Sequence, residues 1–119
     1  QAHEAIMESL AYDPTSYQSY ELAGDIDFVY ASLLIEKKPN DSLLITKFLN
    51  LSLENFNNGI ALERKKAILF YKRGKVNELA KNHNEAFEDY NQAIRLSSND
   101  SSLRQVAKKA SELLISKRH

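Results

Sequence analysis

The sequence predicts an all-α fold, and three observations support that prediction. Only three Gly and two Pro occur in 119 residues, which disfavours a β-rich domain with many tight turns. Leu, Ala, Glu, Lys, Asn and Ser dominate the composition, and these residues suit helices with polar caps. Apolar residues recur at helical spacing in segments separated by short polar connections. We therefore expect a single domain of about six helices in which sequential helices are antiparallel.

Two helices are predicted in the first third of the chain. The first covers 2–11 and ends before Pro14, because the residue before a proline avoids the helical conformation. The second covers 17–36 and is capped by Thr15 or Ser16, since a hydroxyl group can accept a hydrogen bond from a free backbone N–H of the first turn.

Two further helices are predicted in the middle of the chain. The third covers 42–56 and is capped by Asn40 or Asp41. The sequence Asn-Asn-Gly at 57–59 is expected to end it, because Asn and Gly accept the left-handed conformation that follows many helices. The fourth helix is predicted to run over 60–81.

The last two helices both start with polar residues. The fifth covers 85–96 after a cap at Asn84, and acidic residues in its first turns suit the positive end of the helix dipole. The sixth covers 103–117 after a cap at Ser101 or Ser102. Its apolar face is expected to contain Leu103, Val106, Ala107, Ala110, Leu113 and Leu114.

The composition argues against several classes of protein. Sixteen basic and sixteen acidic side chains balance, whereas nucleic-acid binders usually carry a basic excess, so no nucleic-acid partner is expected. The absence of cysteine excludes disulfides and thiolate chemistry and fits a cytoplasmic protein. No run of eighteen apolar residues exists, so no membrane insertion is expected. Because the chain begins at Gln1, we interpret it as a fragment of a longer protein.

Residue types suited to catalysis do not cluster in the sequence. His3, His83 and His119 lie far apart, and none has a partner at the helical spacing that a metal site would use. No glycine-rich phosphate loop follows a strand. The acidic residues at 85–89 are explained by the helix dipole. We therefore expect no enzymatic activity, no catalytic residue, no cofactor and no metal.

One segment has a characteristic spacing of large and small residues. Phe70 and Gly74 lie four residues apart in one helix, and the next helix places Ala86, Tyr90 and Ala93 at steps of four and three. This pattern resembles the tetratricopeptide repeat (TPR), a helix–turn–helix unit of about 34 residues. Two positions depart from the family's pattern, which has tyrosine and proline where this chain has Asn77 and Ser98.

A weaker trace of the same pattern lies at the start of the chain. The second half of a repeat is matched by Ala2, Ile6, Ser9 and Pro14. Tyr20 and Gly24 then match the start of the next repeat, but the interval from Gly24 to Gly74 is much longer than the family's repeat of about 34 residues. The additional residues are expected in an extension of the helix at 17–36 and in a second extension at 60–66.

The resemblance implies how the helices are arranged. Such repeats stack as an α-solenoid, because one helical hairpin cannot bury its apolar face alone. The chain would contain a half repeat at 1–14, a divergent long repeat at 17–57, a repeat at 60–100 that matches best over 67–100, and a capping helix at 101–119. The outer face of the capping helix would carry Arg104, Lys108, Lys109 and Glu112. Close packing between helices is expected at Tyr20, Gly24, Phe70, Gly74, Ala86, Tyr90 and Ala93.

The resemblance further implies a scaffold that binds a partner protein. In this family the first helix of each repeat lines a concave groove for a peptide or helix. The corresponding residues here are Glu21, Asp25, Phe28, Tyr71, Lys72 and Lys75. Family members that clamp the acidic C-terminal tails of Hsp70 or Hsp90 carry Lys and Asn around the first-helix glycine. Glu21 and Asp25 occupy those places here, and their carboxylates would repel such a tail, so no clamp of this kind is expected.

Two other functions fit the same sequence. The chain could be a helical accessory or oligomerisation domain of a larger protein or enzyme, with self-association through the apolar faces of its terminal helices. A helical repeat that binds RNA is a weaker alternative, because the charges balance.

Overall fold

The structure is a computed structural model that describes residues 16–99 and 101–117. These residues form five helices, α1 (Tyr17–Lys37), α2 (Ser42–Leu62), α3 (Ala67–Leu79), α4 (His83–Leu96) and α5 (Ser102–Lys117). The predicted all-α class is confirmed for the described part of the chain. The helix predicted at 2–11, and with it the half repeat at 1–14, lies outside the described residues.

The chain divides into two compact units, Gln1–Glu63 and Arg64–His119. Unit 1 contains the hairpin of α1 and α2, which pack on each other. Unit 2 contains α3, α4 and α5; α4 packs on α3, and α5 packs mainly on α4. Each unit buries its own set of apolar side chains. The expectation of a single domain over 1–119 stays a prediction.

Side chains cap the start of α1, α2 and α5. Ser16 Oγ accepts a hydrogen bond from the backbone N–H three residues further on at 3.3 Å. Asp41 Oδ1 and Ser101 Oγ do the same at 3.4 and 3.0 Å. Each of these bonds satisfies a backbone donor that the first helical turn leaves without a partner. Local chemistry therefore fixes where these three helices begin.

The predicted end of the third helix at 57–59 is wrong. α2 continues through Asn-Asn-Gly to Leu62, and the N–H of Glu63 still donates to the Gly59 carbonyl at 2.9 Å. Gly59 is buried one turn after the buried Phe56. A glycine inside a helix costs about 1 kcal/mol relative to alanine, and the packing of this buried face outweighs that cost. The long repeat, which was predicted to end at residue 57, would therefore extend to Leu62.

The predicted start of the fourth helix at residue 60 is also wrong. Residues 63–66 connect α2 to α3, which begins at Ala67. Arg64 and Lys65 are exposed in this connection, directly after the C-terminus of α2, where the helix dipole favours positive charge.

The fifth helix starts two residues earlier than predicted. α4 begins at His83, and its N-cap is Asn82 rather than Asn84. Lys81, just before the cap, has a φ of 68°, so the chain reverses through a left-handed residue. Because α3 ends at Leu79 rather than at residue 81, the connection keeps its predicted length of three residues but lies two residues earlier, at 80–82.

Unit 1 is packed around Gly24 and Phe56. The Phe56 side chain is 1% exposed, and a Cβ atom on Gly24 would lie only 2.7 Å from Phe56 Cζ. Ser52 Oγ also donates a hydrogen bond to the Gly24 carbonyl at 2.8 Å. The absence of a side chain at Gly24 is thus what allows α1 to approach α2 so closely.

Unit 2 has the same contact between a glycine and a ring. A Cβ atom on Gly74 would lie 2.7 Å from Tyr90 Cε1, and Tyr90 is fully buried. Tyr90, Ala86 and Leu114 form a buried cluster against which Tyr71, Phe87 and Ala110 pack. The cluster joins α4 to α5, so unit 2 is a hairpin extended by a third helix.

A hydrogen-bonded pair of Asp and Asn lies beside the glycine in each hairpin. The helix that carries Asp in one unit carries Asn in the other. In unit 1, Asn55 Nδ2 on the second helix donates to Asp27 Oδ2 on the first at 2.9 Å. In unit 2, Asn77 Nδ2 on the first helix donates to Asp89 Oδ2 on the second at 2.9 Å. Each first-helix member lies three residues after the glycine, and each second-helix member lies one residue before the ring. All four side chains are buried.

The additional residues of the first hairpin lie on the side of its connection. The segment from the glycine to the ring is twice as long in unit 1, at 24–56, as in unit 2, at 74–90. After the glycine, α1 continues to Lys37 for about four turns, whereas α3 continues for about one and a half turns. Before the ring, α2 has about four turns and α4 about two. The extension predicted for the helix at 17–36 is therefore correct. The extension predicted at 60–66 is wrong, because the second group of additional residues forms the first turns of α2.

α5 differs from its predicted faces in two respects. Val106 and Leu113 are exposed rather than buried, at 45% and 54%. Arg104, expected on the outer face, is partly buried, and its Nη1 donates to the Ile94 carbonyl at 2.8 Å. The other expected outer residues are exposed, namely Lys108, Lys109 and Glu112.

Candidate interaction surface

α1 has apolar residues on two sides, and only one side packs on α2. The buried side consists of Ala23, Gly24, Asp27 and Ala31. The other side carries Leu22, Ile26, Val29 and Leu33, with Tyr30 beside them. Leu22, Val29 and Leu33 are exposed at 48%, 52% and 46%. We call the second set, Leu22, Ile26, Val29, Tyr30 and Leu33, the α1 stripe.

The α1 stripe borders a shallow apolar depression of about 410 Å³. The depression is lined by Asp25, Ile26, Val29, Tyr30 and Leu33. Apolar walls with one carboxylate at the edge are typical of surfaces that bind another apolar group and fix its orientation through a polar contact.

The ring of Tyr30 is held at one edge of the stripe by α2. It stacks on Phe48 with ring centroids 5.4 Å apart and an interplanar angle of 17°. Lys47 Nζ lies 5.9 Å from the centroid of the Phe48 ring. Because these contacts restrict the Tyr30 ring, the stripe is a preformed surface at this edge.

The three groove residues predicted in unit 1 lie at one side of the α1 stripe. Glu21, Asp25 and Phe28 are all partly buried, and Asp25 is the one that lines the depression. The helical period of 3.6 residues places their common side about a quarter turn from the stripe. Their role in binding stays a prediction.

The three groove residues predicted in unit 2 lie on α3. Tyr71, Lys72 and Lys75 are partly buried. Tyr71 packs on the cluster around Tyr90, with ring centroids 5.8 Å apart and an interplanar angle of 42°. Packing thus accounts for part of the Tyr71 surface, and its role in binding stays a prediction, as do those of Lys72 and Lys75.

Other residues predicted to pack between helices are placed less uniformly. Gly74, Ala86, Tyr90 and Ala93 are buried, as is Gly24 in unit 1. The rings of Tyr20 and Phe70 are only partly buried, and the Arg73 guanidinium lies 5.4 Å from the Phe70 ring centroid.

An ion pair accompanies the buried polar pair of unit 2. Arg73 Nη2 lies 2.7 Å from Asp89 Oδ1, and Arg73 Nε donates to the same carboxylate at 3.1 and 3.2 Å. Asp89 therefore accepts hydrogen bonds from Arg73 and Asn77 while only 5% exposed. The helix dipole was the predicted reason for a carboxylate at Asp89, and this ion pair is a further one.

Glu78 joins all three helices of unit 2. Tyr90 Oη donates to Glu78 Oε1 at 2.6 Å, and Lys117 Nζ donates to Oε2 at 3.2 Å. Burial by itself would raise the pKa of Glu78, but the hydrogen bonds from Tyr90 and Lys117 and the charges of Lys75 and Lys117 outweigh it and lower that pKa. Burial, followed by the hydrogen bond to Glu78, raises the pKa of Tyr90 well above its ordinary value.

The two units carry opposite net charges. Unit 1 has ten acidic and three basic side chains, a net charge of −7. Unit 2 has six acidic and thirteen basic side chains, a net charge of +7. The neutrality of the whole chain therefore hides a strong segregation of charge, and each unit presents a different field to a partner.

The sequence contains a signal for the α1 stripe that the prediction of a groove did not use. Leu22, Ile26, Val29 and Leu33 follow the helical i, i+4, i+7, i+11 pattern. The small residues Ala23, Gly24 and Ala31 follow a second helical pattern on the same helix. Two apolar patterns on one helix indicate that it contacts two neighbours, but they do not say which pattern faces the hairpin partner.

The described part of the chain contains neither a metal-binding cluster nor a membrane-spanning helix. Within 16–99 and 101–117, no three His, Asp or Glu side chains are close enough together to hold a metal ion. Among the same residues, no helix combines the length and the apolar character needed to cross a bilayer.

Comparison of the sequence with protein-family models and with curated proteins finds no match. The resemblance to the tetratricopeptide repeat therefore rests on the residues and spacings of the chain itself.

Proposed function

We propose that this chain is a protein–protein interaction module of the TPR type, which binds a partner peptide or helix without catalysing a reaction. The observation that carries the proposal is the α1 stripe, in which Leu22, Val29 and Leu33 are exposed on the side of α1 opposite its buried contacts with α2. Tyr30 forms the edge of the stripe that contacts α2. Contiguous exposed apolar surface on a helix of this kind commonly marks a site of protein contact.

The spacing of the helical contacts supports the TPR part of the proposal. The contact of a glycine with a ring occurs in both hairpins. The two rings, Phe56 and Tyr90, are separated along the chain by the length of one repeat, about 34 residues. On this basis we propose that the hairpins stack as an α-solenoid with α5 as its cap. We also propose that the protein is cytoplasmic, which a sequence without cysteine favours.

A library of helical peptides displayed on phage tests the proposal. We would select binders against the whole chain and then measure their affinity for Val29→Asp/Leu33→Asp, which places two charges in the stripe. Binding should fall by about tenfold or more. Leu43→Asp is the matched control, because Leu43 is 85% exposed and lies outside the stripe. Peptides whose affinity is the same for the wild type and the double variant would count against the proposal, as would a selection that yields no binding peptide.

The same exposed residues favour self-association as a second candidate function. Val106 and Leu113 on α5 add exposed apolar surface to that of α1, and a chain with no net charge has little electrostatic repulsion between copies. Light scattering over a concentration series should show a rising mean mass if this function is correct. A constant monomer mass would refute it.

The proposal also includes the absence of an Hsp70 or Hsp90 tail clamp. Unit 1 has a net charge of −7, which disfavours a partner whose own tail is acidic. A peptide ending in Glu-Glu-Val-Asp should show no saturable binding in a fluorescence titration. Saturable binding that Lys72→Ala abolishes would contradict this part of the proposal.

A further inference from the structure

We infer that the partner of the α1 stripe is a cationic amphipathic helix, with apolar residues on one face and Lys or Arg along its flanks. The inference rests on the proposed function, because it names the chemistry of the partner that the stripe would bind.

The geometry of the stripe suits a helix. Leu22, Ile26, Val29 and Leu33 follow one another along α1 over about 16 Å, or about three helical turns. A straight ridge of this length matches the apolar face of a partner helix that carries anchors at the same i, i+4, i+7 spacing. The depression beside the ridge, of about 410 Å³, has room for the side chains of such anchors.

The charge around the stripe selects the sign of the partner. Glu21, Asp25 and Glu36 lie along one side of the stripe by helical period, and Glu36 is exposed. Two basic residues lie near its other side, Lys37 on α1 and Lys47 on α2, whose Nζ is 5.9 Å from the centroid of the Phe48 ring; they are outnumbered by the acidic residues. The whole of unit 1 has a net charge of −7. Opposite charge raises the association rate and disfavours partners of the wrong sign, so a helix with basic flanks is favoured over an acidic one.

A second copy of this chain suits the stripe less well. Its basic terminal helix, α5, uses Ala107, Ser111 and Leu114 to pack within unit 2. That helix could present a continuous apolar face only by leaving its own unit, at the cost of exposing the cluster around Tyr90. The exposed pair Val106 and Leu113 is too short to match all four positions of the ridge.

Two synthetic peptides provide the test. Each is a helix of about 18 residues with Leu at the four positions that match the stripe; one has Lys at its flanking positions and the other has Glu. Affinity for the whole chain would be measured by fluorescence anisotropy at about 50 mM and about 500 mM NaCl. Val29→Asp/Leu33→Asp and Leu43→Asp serve as the stripe variant and its control.

We expect the Lys peptide to bind at least about tenfold more tightly than the Glu peptide at low salt, and to lose most of this preference at high salt. The stripe variant should abolish the binding and the control should not.

Equal affinity, or tighter binding of the Glu peptide, would overturn the inference and leave the proposed function intact. If neither peptide binds, the inference fails, and the phage selection described above decides the proposed function separately. Light scattering gives one further outcome. If the mean mass rises with protein concentration and the Lys peptide reverses that rise, a second copy of the chain is the occupant of the stripe, and the inference is overturned.

Discussion

Single residues decide how closely the helices of each hairpin approach. Gly24 and Gly74 lie against the aromatic rings of Phe56 and Tyr90, at distances that leave no room for a Cβ atom. Beside each contact, a carboxylate and an amide form a buried hydrogen bond across the hairpin. The same three features, a glycine, a ring and a polar pair, therefore recur in two sequences of different length.

Replacing Gly74 with leucine tests the close contact in unit 2. The new side chain would overlap Tyr90, which is fully buried and cannot turn into solvent. We expect Gly74→Leu to lower the free energy of unfolding by about 1–3 kcal/mol, measured by urea denaturation. Gln105→Leu, at an exposed position of α5, is the control and should change stability by less than about 0.5 kcal/mol. Equal effects of the two substitutions would contradict the contact.

The polar pair of unit 1 allows a second test. Asp27→Ala leaves the buried amide of Asn55 without its carboxylate partner, and we expect a loss of about 1–3 kcal/mol. The exchange Asp27→Asn/Asn55→Asp reproduces the order found at Asn77 and Asp89, so it should recover much of that loss in the same denaturation assay. Glu54→Ala, on the exposed side of α2, is the control. An exchanged variant no more stable than Asp27→Ala would show that the pair is not interchangeable.

The sequence reveals only part of this detail. Gly24 and Gly74 were predicted as packing positions from the spacing of the repeat that the sequence resembles. The contact of Gly24 with Phe56 was not predicted, because the length of the first hairpin was not known. Asp27 and Asn55 are 28 residues apart. A polar residue inside an apolar pattern shows that a partner is needed, but one sequence does not say which residue of the facing helix supplies it.

At the level of helices, boundaries set by local hydrogen bonds were predicted better than boundaries set by packing. Ser16, Asp41 and Ser101 cap helices as expected, because a cap depends on a hydrogen bond to a backbone group only three residues away. The end of α2 depends instead on packing of its buried face, which carried the helix through Asn-Asn-Gly at 57–59. Tertiary contacts of this kind override local propensity and are invisible in a single sequence.

Glu78 provides a pH-dependent test of the link between α3, α4 and α5. Its pKa in the folded protein lies below the ordinary value of 4.5, so the ionised carboxylate stabilises the fold. That contribution is complete above about pH 4.5 and is lost as the pH falls through the lower folded-state pKa. Lys117 is 62% exposed, so we expect a contribution below about 1 kcal/mol.

The measurement compares thermal unfolding of the wild type and Glu78→Gln from pH 3 to pH 7. The stability difference should be present at neutral pH and should shrink as the acid limit is approached. Glu88→Gln, at an exposed position of α4, should show no comparable dependence. A difference that is constant over the whole range would mean that the charge of Glu78 does not contribute.

At the level of the whole molecule, formal neutrality conceals two strongly charged units. The sums of −7 and +7 follow from the boundary after Glu63. This separation of charge was not predicted, because the chain was expected to form a single domain. The charges were all present in the sequence. The boundary between the units was not, because the helix predicted to start at residue 60 ran across it.

Ion-exchange chromatography at pH 7 tests whether each charged unit interacts separately with a surface of opposite charge. At low ionic strength the chain should be retained by both an anion exchanger and a cation exchanger, despite its zero formal charge, since charges are sensed over a Debye length of about 10 Å at about 0.1 M salt. Moderate salt should release it from both. Flow-through on both resins at low salt would show that the two fields cancel at the surface.

The long hairpin of unit 1 also has a practical consequence. Its connection at 38–41 lies about two helical turns, or about 12 Å, further along the helices than the connection of the shorter hairpin. The contacts of Gly24 with Phe56 and of Asp27 with Asn55 lie outside these two additional turns, further from the connection. Pro39 and Asn40 are exposed at the tip, where chains tolerate insertions best. A tag or reporter domain placed between them would report on the intact protein while leaving the paired ends of its helices undisturbed.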